Sequence, residues 1–120
     1  MPALELKTNV KIPNLQEYMK EFSKFSANAL GKPEEYICVL VLQDQPMTFR
    51  GSTEPAFFLN ITSLGNINPD ANIGYSAAFF EYFKKTLGVD GDRGYISFID
   101  PGTENLGYKG TTFSALWANK

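Results

Sequence analysis

The chain has 120 residues, 43% of them hydrophobic and 20% charged, with 11 Lys and Arg against 13 Asp and Glu for a net charge of -2. A chain of this length buries most of its unfolded surface without disulfide or metal staples, so a single domain over residues 1–120 is expected. The interspersed charge offers no field for nucleic acid, the lone Cys38 excludes an intramolecular disulfide or thiol pair, and the lack of histidine excludes Ser-His and Cys-His mechanisms and argues against a transition-metal site.

The opening run MPALELKTNV reads as a strand over residues 3–9, so the end of the chain has a defined place instead of fraying. It lacks a charged segment followed by an apolar one, and no stretch approaches the ~20 apolar residues that span a bilayer, so the chain reads as cytosolic by synthesis. Pro13 precedes Asn14, an expected N-cap with Glu17 three positions on, and Leu15, Tyr18, Met19, Phe22, Phe25 and Ala29 recur at helical spacing up to Gly31. Residues 36–42 form a continuous apolar run read as a buried strand, in which Cys38 reads as a small buried hydrophobe.

The plan then repeats. Residues 56–62 are strand-like, and the glycosylation sequon at Asn60-Ile61-Thr62 is set aside because it lies in this apolar run with no secretion signal. Asn68-Pro69 caps and opens a helix whose expected apolar face is Ile73, Ala77, Phe80, Phe83 and Leu87, ending at Gly88, and residues 95–99 form a second buried strand. Two strand-helix-strand units with right-handed crossovers predict an α+β fold, a four-stranded sheet with both helices on one face. The strands carry large apolar groups at successive positions, hence on both sheet faces, so the uncovered face is expected to be buried by other copies of the chain.

Several chemical patterns fail on inspection. Gly31-Lys32 is followed by Pro33, and Ser26 stands where a phosphate loop needs its first glycine, while Asp90-Gly91-Asp92 meets Gly94 and Pro101 where a calcium loop needs ligands. What remains is Pro2, Lys32 after a helix end, and the strand tyrosines Tyr36 and Tyr95. Two readings of this set stand side by side. In one, loss of Met1 exposes a secondary amine whose charged form is disfavoured by an apolar pocket and a nearby Lys32. In the other, Met-Pro is a common start and Lys32 a helix-end cation favoured by the macrodipole.

The motifs in order along the chain resemble a known family. Met1-Pro2, Thr8-Asn9-Val10, Gly31-Lys32-Pro33, Gly51-Ser52-Thr53-Glu54-Pro55, Thr62-Ser63-Leu64-Gly65, Asp92-Arg93-Gly94-Tyr95-Ile96, Asn105-Leu106-Gly107-Tyr108 and Thr112-Phe113 are together similar to macrophage migration inhibitory factor and D-dopachrome tautomerase. The similarity runs from residue 1 to about 114. It implies a homotrimer whose sheets wrap into a barrel with helices outside, and keto-enol tautomerisation of phenylpyruvate- or dopachrome-like substrates with no cofactor or metal.

By the same resemblance Pro2 is the catalytic base, and Lys32 binds the substrate carboxylate beside Ser63 and Leu64. Tyr95 and Ser97 come from a neighbouring subunit, with Ser97 replacing the usual asparagine. Tyr36, Leu106, Tyr108 and Phe113 form the rim, Tyr108 replacing a common tryptophan. Ala56-Phe57-Phe58-Leu59 lacks the thiols of members with thiol-disulfide activity, and Arg50 replaces a glycine at a turn near the subunit boundary. Residues 114–120 run past the usual end, with Leu116 and Trp117 expected to pack on a neighbouring subunit or partly cover the pocket. The second function implied is a cytokine-like ligand for a cell-surface receptor, secreted without a signal peptide. A third reading is a trimeric scaffold that retains Met1 and so has no free base. Segment 75–81 leans toward the D-dopachrome branch, whereas Tyr95 and segment 105–113 lean toward the migration-factor branch.

Overall fold

In the first strand, β1 (Ala3–Thr8), side chains alternate, with Leu4, Leu6 and Thr8 buried and Ala3, Glu5 and Lys7 on the opposite face. The computed structural model describes residues 2–118 and continues through α1 (Leu15–Leu30), a 3-10 turn (Glu34–Tyr36), β2 (Cys38–Leu42), β3 (Phe57–Thr62), α2 (Pro69–Leu87) and β4 (Gly94–Ile99). A second 3-10 turn (Thr103–Asn105), β5 (Gly107–Tyr108), β6 (Thr111–Thr112) and α3 (Phe113–Ala118) follow. The sheet order is β2-β1-β3-β4, with β1 parallel to β2, β3 parallel to β4, and β1 antiparallel to β3. This is the mixed four-stranded sheet that two strand-helix-strand units predict.

Both long helices end on glycines in the left-handed region, Gly31 at φ 66° and Gly88 at φ 69°, whose N–H groups return to carbonyls of the last turn. Their starts differ from each other. Asn68 accepts from the Ala71 N–H at 2.9 Å, as expected of a cap. Asn14 sits at φ 51° and its side chain makes no cap bond, so the expected capping box with Glu17 does not form; only its carbonyl joins the helix, accepting from the Tyr18 N–H at 3.1 Å.

The core lies between the helices and one sheet face, and it is aromatic. Phe22, Phe79 and Phe83 are fully buried with Phe57, and Phe25 stacks on Tyr82 at 4.0 Å between ring centroids. Gly94 is required here, because a Cβ on it would lie 2.3 Å from the Phe57 ring that crosses it. The buried stripe of α2 is Phe79, Phe83 and Leu87. Ile73 is 72% exposed and Ala77 exposed, a correction to the expected face, because the stripe turns toward Phe22 and Phe57.

β2 begins at Cys38, not at residue 36, because Tyr36 and Ile37 donate to the carbonyls of Pro33 and Glu34 and close a 3-10 turn. Cys38 is exposed, contrary to the buried reading, because β2 is an edge strand and Cys38 points to the face that the helices leave open. That open face carries Leu40 and Leu42 on one flank and Phe58, Tyr95 and Ile99 on the other, all exposed. Between the flanks runs a polar strip, with Glu5 and Lys7 paired at 3.1 Å beside Asn60. The face is therefore apolar at its margins and polar along its middle.

The loop between β2 and β3 folds around Arg93. Its guanidinium donates to the carbonyls of Pro55 (2.8 Å), Phe49 (2.9 Å), Glu54 (2.9 Å) and Ser52 (3.3 Å), while the side chain is almost wholly buried. Arg50 and Gly51 form the two-residue turn of the Phe49–Ser52 bridge with φ 52° and 77°, and Arg50 pairs with Asp92. Among the described residues no helix is long and apolar enough to cross a membrane.

Candidate active site

Strand pairing collects the predicted site at one end of the sheet. Ala3 is in register with Cys38 on one side and Thr62 on the other, and the Cys38 N–H donates to the Pro2 carbonyl at 3.0 Å. One residue further in the antiparallel register sets Pro2 opposite Ser63, whose N–H donates to the Ile99 carbonyl at 3.0 Å. Pro2 is less than 2% exposed. Met1, whose removal decides whether the Pro2 nitrogen is an amine, lies outside the described residues.

A cavity of about 270 Å³ opens at Pro2 and is lined by Tyr36, Leu106, Tyr108 and Phe113 from the predicted rim. Ala3, Glu35, Ile37, Cys38 and Gly107 complete it, and the sequence marked none of these as a site residue. The Phe113 and Tyr108 rings stack at 5.2 Å and 7°. They are brought together by the β5–β6 hairpin, whose turn residues Lys109 and Gly110 take φ 54° and 78°, and by the Phe113 N–H donating to the Leu106 carbonyl at 3.1 Å.

Lys32 enters from the end of α1. Its N–H closes the helix on the Ala27 carbonyl at 3.0 Å, and its ammonium reaches the Leu64 carbonyl at 3.1 Å. An ammonium has three donors, so this contact is compatible with a bound carboxylate. The Ser63-Leu64 segment is itself fastened. Ser63 Oγ bonds Asn66 Oδ1 at 2.5 Å, Asn66 Nδ2 donates to the Leu30 carbonyl at 3.2 Å, and Tyr75 donates to the Asn66 carbonyl at 2.9 Å.

Asp100 fastens it from the other side, accepting from the N–H groups of Gly65 and Gly102, both at 3.0 Å. Those two donors hold its carboxyl below the ordinary value of 3.8, with the Lys32 charge adding in the same direction. Asn66 and Asp100 are supports that the sequence reading missed. The available signal for the second was Asp100-Pro101-Gly102, a turn in which an aspartate bonds the backbone two residues on.

Tyr95 and Ser97 lie elsewhere. Tyr95 is in register with Phe58, which pairs with Lys7, so it sits four residues along the sheet from Ala3. At ~3.3 Å per residue the separation is roughly 13 Å along the strand direction. Tyr95 packs on Phe49 at 5.0 Å and is 68% exposed on the open face. A single chain therefore lines one cavity with Pro2, Tyr36, Leu106, Tyr108 and Phe113, holds Lys32, Ser63 and Leu64 together outside that lining, and leaves Tyr95 and Ser97 out of both groups.

Comparison with known proteins identifies the family and the fold. A family model described as macrophage migration inhibitory factor matches residues 1–114. A macrophage migration inhibitory factor homolog of Trichuris trichiura is 39% identical over 114 residues, covering 94% of this chain and all of the relative. The solved macrophage migration inhibitory factor of Trichinella spiralis superposes with a TM-score of 0.86 at 35% identity, over 92% of this chain and 99% of that one. A homologue from Prochlorococcus marinus gives a TM-score of 0.85 at 29% identity, over 92% and 98% of the two chains. The chain belongs to the macrophage migration inhibitory factor family.

Proposed function

We propose that the protein is a homotrimeric keto-enol tautomerase acting on aromatic α-keto acids such as phenylpyruvate or on dopachrome-like substrates, with Pro2 as the base. The observation that carries this reading is Pro2, almost unexposed, lining one cavity with Tyr36, Leu106, Tyr108 and Phe113, while Lys32 is bonded to the Leu64 carbonyl in the segment whose Ser63 follows the residue paired with Ala3. Loss of Met1 turns the Pro2 nitrogen into a secondary amine, and burial beside a cation favours its neutral form.

The neutral nitrogen takes a proton from the carbon next to the substrate carbonyl. The C–H electron pair becomes the new C=C bond and the carbonyl oxygen gains the charge, which is then quenched by a proton to give the enol. Lys32 pairs with the carboxylate, the rings of Tyr36, Tyr108 and Phe113 hold the aromatic group and exclude water, and Tyr95 of a neighbouring copy stabilises the developing oxyanion. Ser63 and Leu64 border the carboxylate, with Ser97 arriving beside Tyr95. The reaction moves only protons, so this scheme needs no cofactor.

A general base contributes about 10²–10⁴-fold, so Pro2→Gly is expected to lower phenylpyruvate turnover by that factor in a sample whose intact mass confirms loss of Met1. Unchanged turnover overturns the assignment. The name carried by the relatives, macrophage migration inhibitory factor, supports a second reading, a signalling ligand that acts on cells. Binding to a receptor-bearing cell surface that survives Pro2→Gly separates that role from turnover, and loss of binding assigns both to the same pocket.

A further inference from the structure

Beyond residue 114, where the match to the family ends, the chain continues through α3, and the aromatic wall of the cavity leans on this added segment. Phe113 is the first residue of α3 and only 1% exposed. Its ring stacks on the nearly parallel Tyr108 ring at 5.2 Å and also packs on the Trp117 ring at 5.2 Å and 52°. Trp117 stands one helical turn after Phe113, so the pair forms as soon as α3 does. The helix is started by Thr112, whose Oγ1 accepts from the Ala115 N–H at 3.2 Å.

Phe113 and Tyr108 line the cavity and Trp117 does not. Trp117 is the backing of the wall. A six-residue helix is marginal in isolation, and packing of its apolar side chains is what keeps it in place. Removing the indole frees Phe113 to rotate into the vacated volume and breaks the Tyr108 stack against which a substrate ring would lie.

We infer that Trp117 is a positioning residue that sets the preference of this pocket for aromatic over aliphatic α-keto acids, acting through the Phe113–Tyr108 stack. The inference rests on the tautomerase reading for its substrate, but not for its geometry. An aromatic pair is worth roughly 2- to 10-fold in affinity.

The test follows hydrogen–deuterium exchange at the carbon beside the carbonyl of phenylpyruvate and of pyruvate, by NMR, for wild type, Trp117→Ala and Trp117→Phe. The ratio of the two kcat/KM values is expected to fall roughly 2- to 10-fold in Trp117→Ala, through KM more than kcat, and to recover in Trp117→Phe. A ratio unchanged in Trp117→Ala, both substrates failing in parallel, or no recovery in Trp117→Phe overturns it.

If the wild type exchanges neither substrate, the tautomerase reading falls and the wall is judged by binding alone, using phenylacetate as the probe. Trp117 is the only tryptophan in the sequence, so its emission reports on this wall. Phenylacetate that perturbs the emission and binds Trp117→Ala more weakly by calorimetry upholds the inference, whereas equal binding or none overturns it.

Discussion

The two halves of the chain begin alike, with Pro2-Ala3-Leu4 entering β1 and Pro55-Ala56-Phe57 entering β3, yet they finish those entrances in opposite ways. Leu4 pairs with Val39 and Phe57 with Gly94, so Pro2 corresponds to Pro55, and Cys38 to Arg93. At the second entrance the Arg93 guanidinium fills the space and takes the carbonyls of residues 49, 52, 54 and 55. At the first, Cys38 is too short to do so, and a cavity of about 270 Å³ remains. The helix exits differ in the same sense, Gly31 being followed by the half-buried cation Lys32 and Gly88 by Val89, which is buried in the core. A duplicated scaffold thus acquires a site where one copy of its entrance is left unsealed. The sealed copy instead packs Phe49 against the exposed Tyr95 ring.

The largest effect expected from breaking this division of labour is on turnover. Pro2→Gly and Tyr95→Ala trimers should each lose activity, the former by about 10²–10⁴-fold. When the two are unfolded and refolded together at equal amounts, about one quarter of the sites should pair an intact Pro2 with an intact Tyr95 and regain function. A mixture as silent as its components shows that Tyr95 does not serve a neighbour's Pro2.

Unsealing the second entrance comes next. Arg93→Ala removes a charged donor from four carbonyls, of which those of Phe49, Ser52 and Glu54 keep a second donor and that of Pro55 does not, and urea denaturation should show a loss of about 1–3 kcal/mol. Arg93→Lys should recover only part of it, because an ammonium lacks the planar fork that reaches all four. Equal stability of Arg93→Lys and wild type refutes the fork as the seal.

Lys32→Ala tests the open entrance. A hydrogen bond between charged groups is worth about 1.5–3 kcal/mol, so KM for phenylpyruvate should rise roughly 10- to 100-fold. A KM that stays put places the carboxylate elsewhere. The smallest contrast is between the helix starts. Asn68→Ala should cost about 1 kcal/mol in thermal or chemical melts, whereas Asn14→Ala removes no side-chain cap bond and should not show that loss.

The alternation of β1, the apolar runs of the other strands and the Gly stops of both helices made the sheet and its helices legible before the structure was seen. Phase was harder. In α2 the expected Phe83 and Leu87 are buried, but Phe79 and Phe80 are adjacent and periodicity alone does not decide which is fully buried; Phe79 meets Phe22 and Phe25 of α1, while Phe80 packs half-buried on Phe57. Cys38 was misread for a related reason. A buried strand and an edge strand with one open face spell similar short runs, and edge position is a property of the whole sheet.

Within the site, Pro2, Lys32 and the rim were legible through their resemblance to a family, and Pro2 and the rim line one cavity. Asn66 and Asp100 were not, because they act through backbone groups of the Ser63–Gly65 loop, and such contacts leave no spacing in the sequence. The backing of Phe113 by Trp117 lay in the segment where the resemblance stops. Residues 119 and 120 of that segment lie outside the described residues.

The polar strip along the middle of the open sheet face also limits how copies can associate. Two sheets laid flat against each other would trap Glu5, Lys7 and Asn60 away from water, a heavy penalty for charged groups. Contacts made only through the apolar margins would keep that strip hydrated, and chains joined in a closed ring by such contacts would surround a wet axis. In such a ring the outer strands β2 and β4 meet neighbours on every side, so the number of copies is finite and no unpaired strand edge is left to nucleate a fibre.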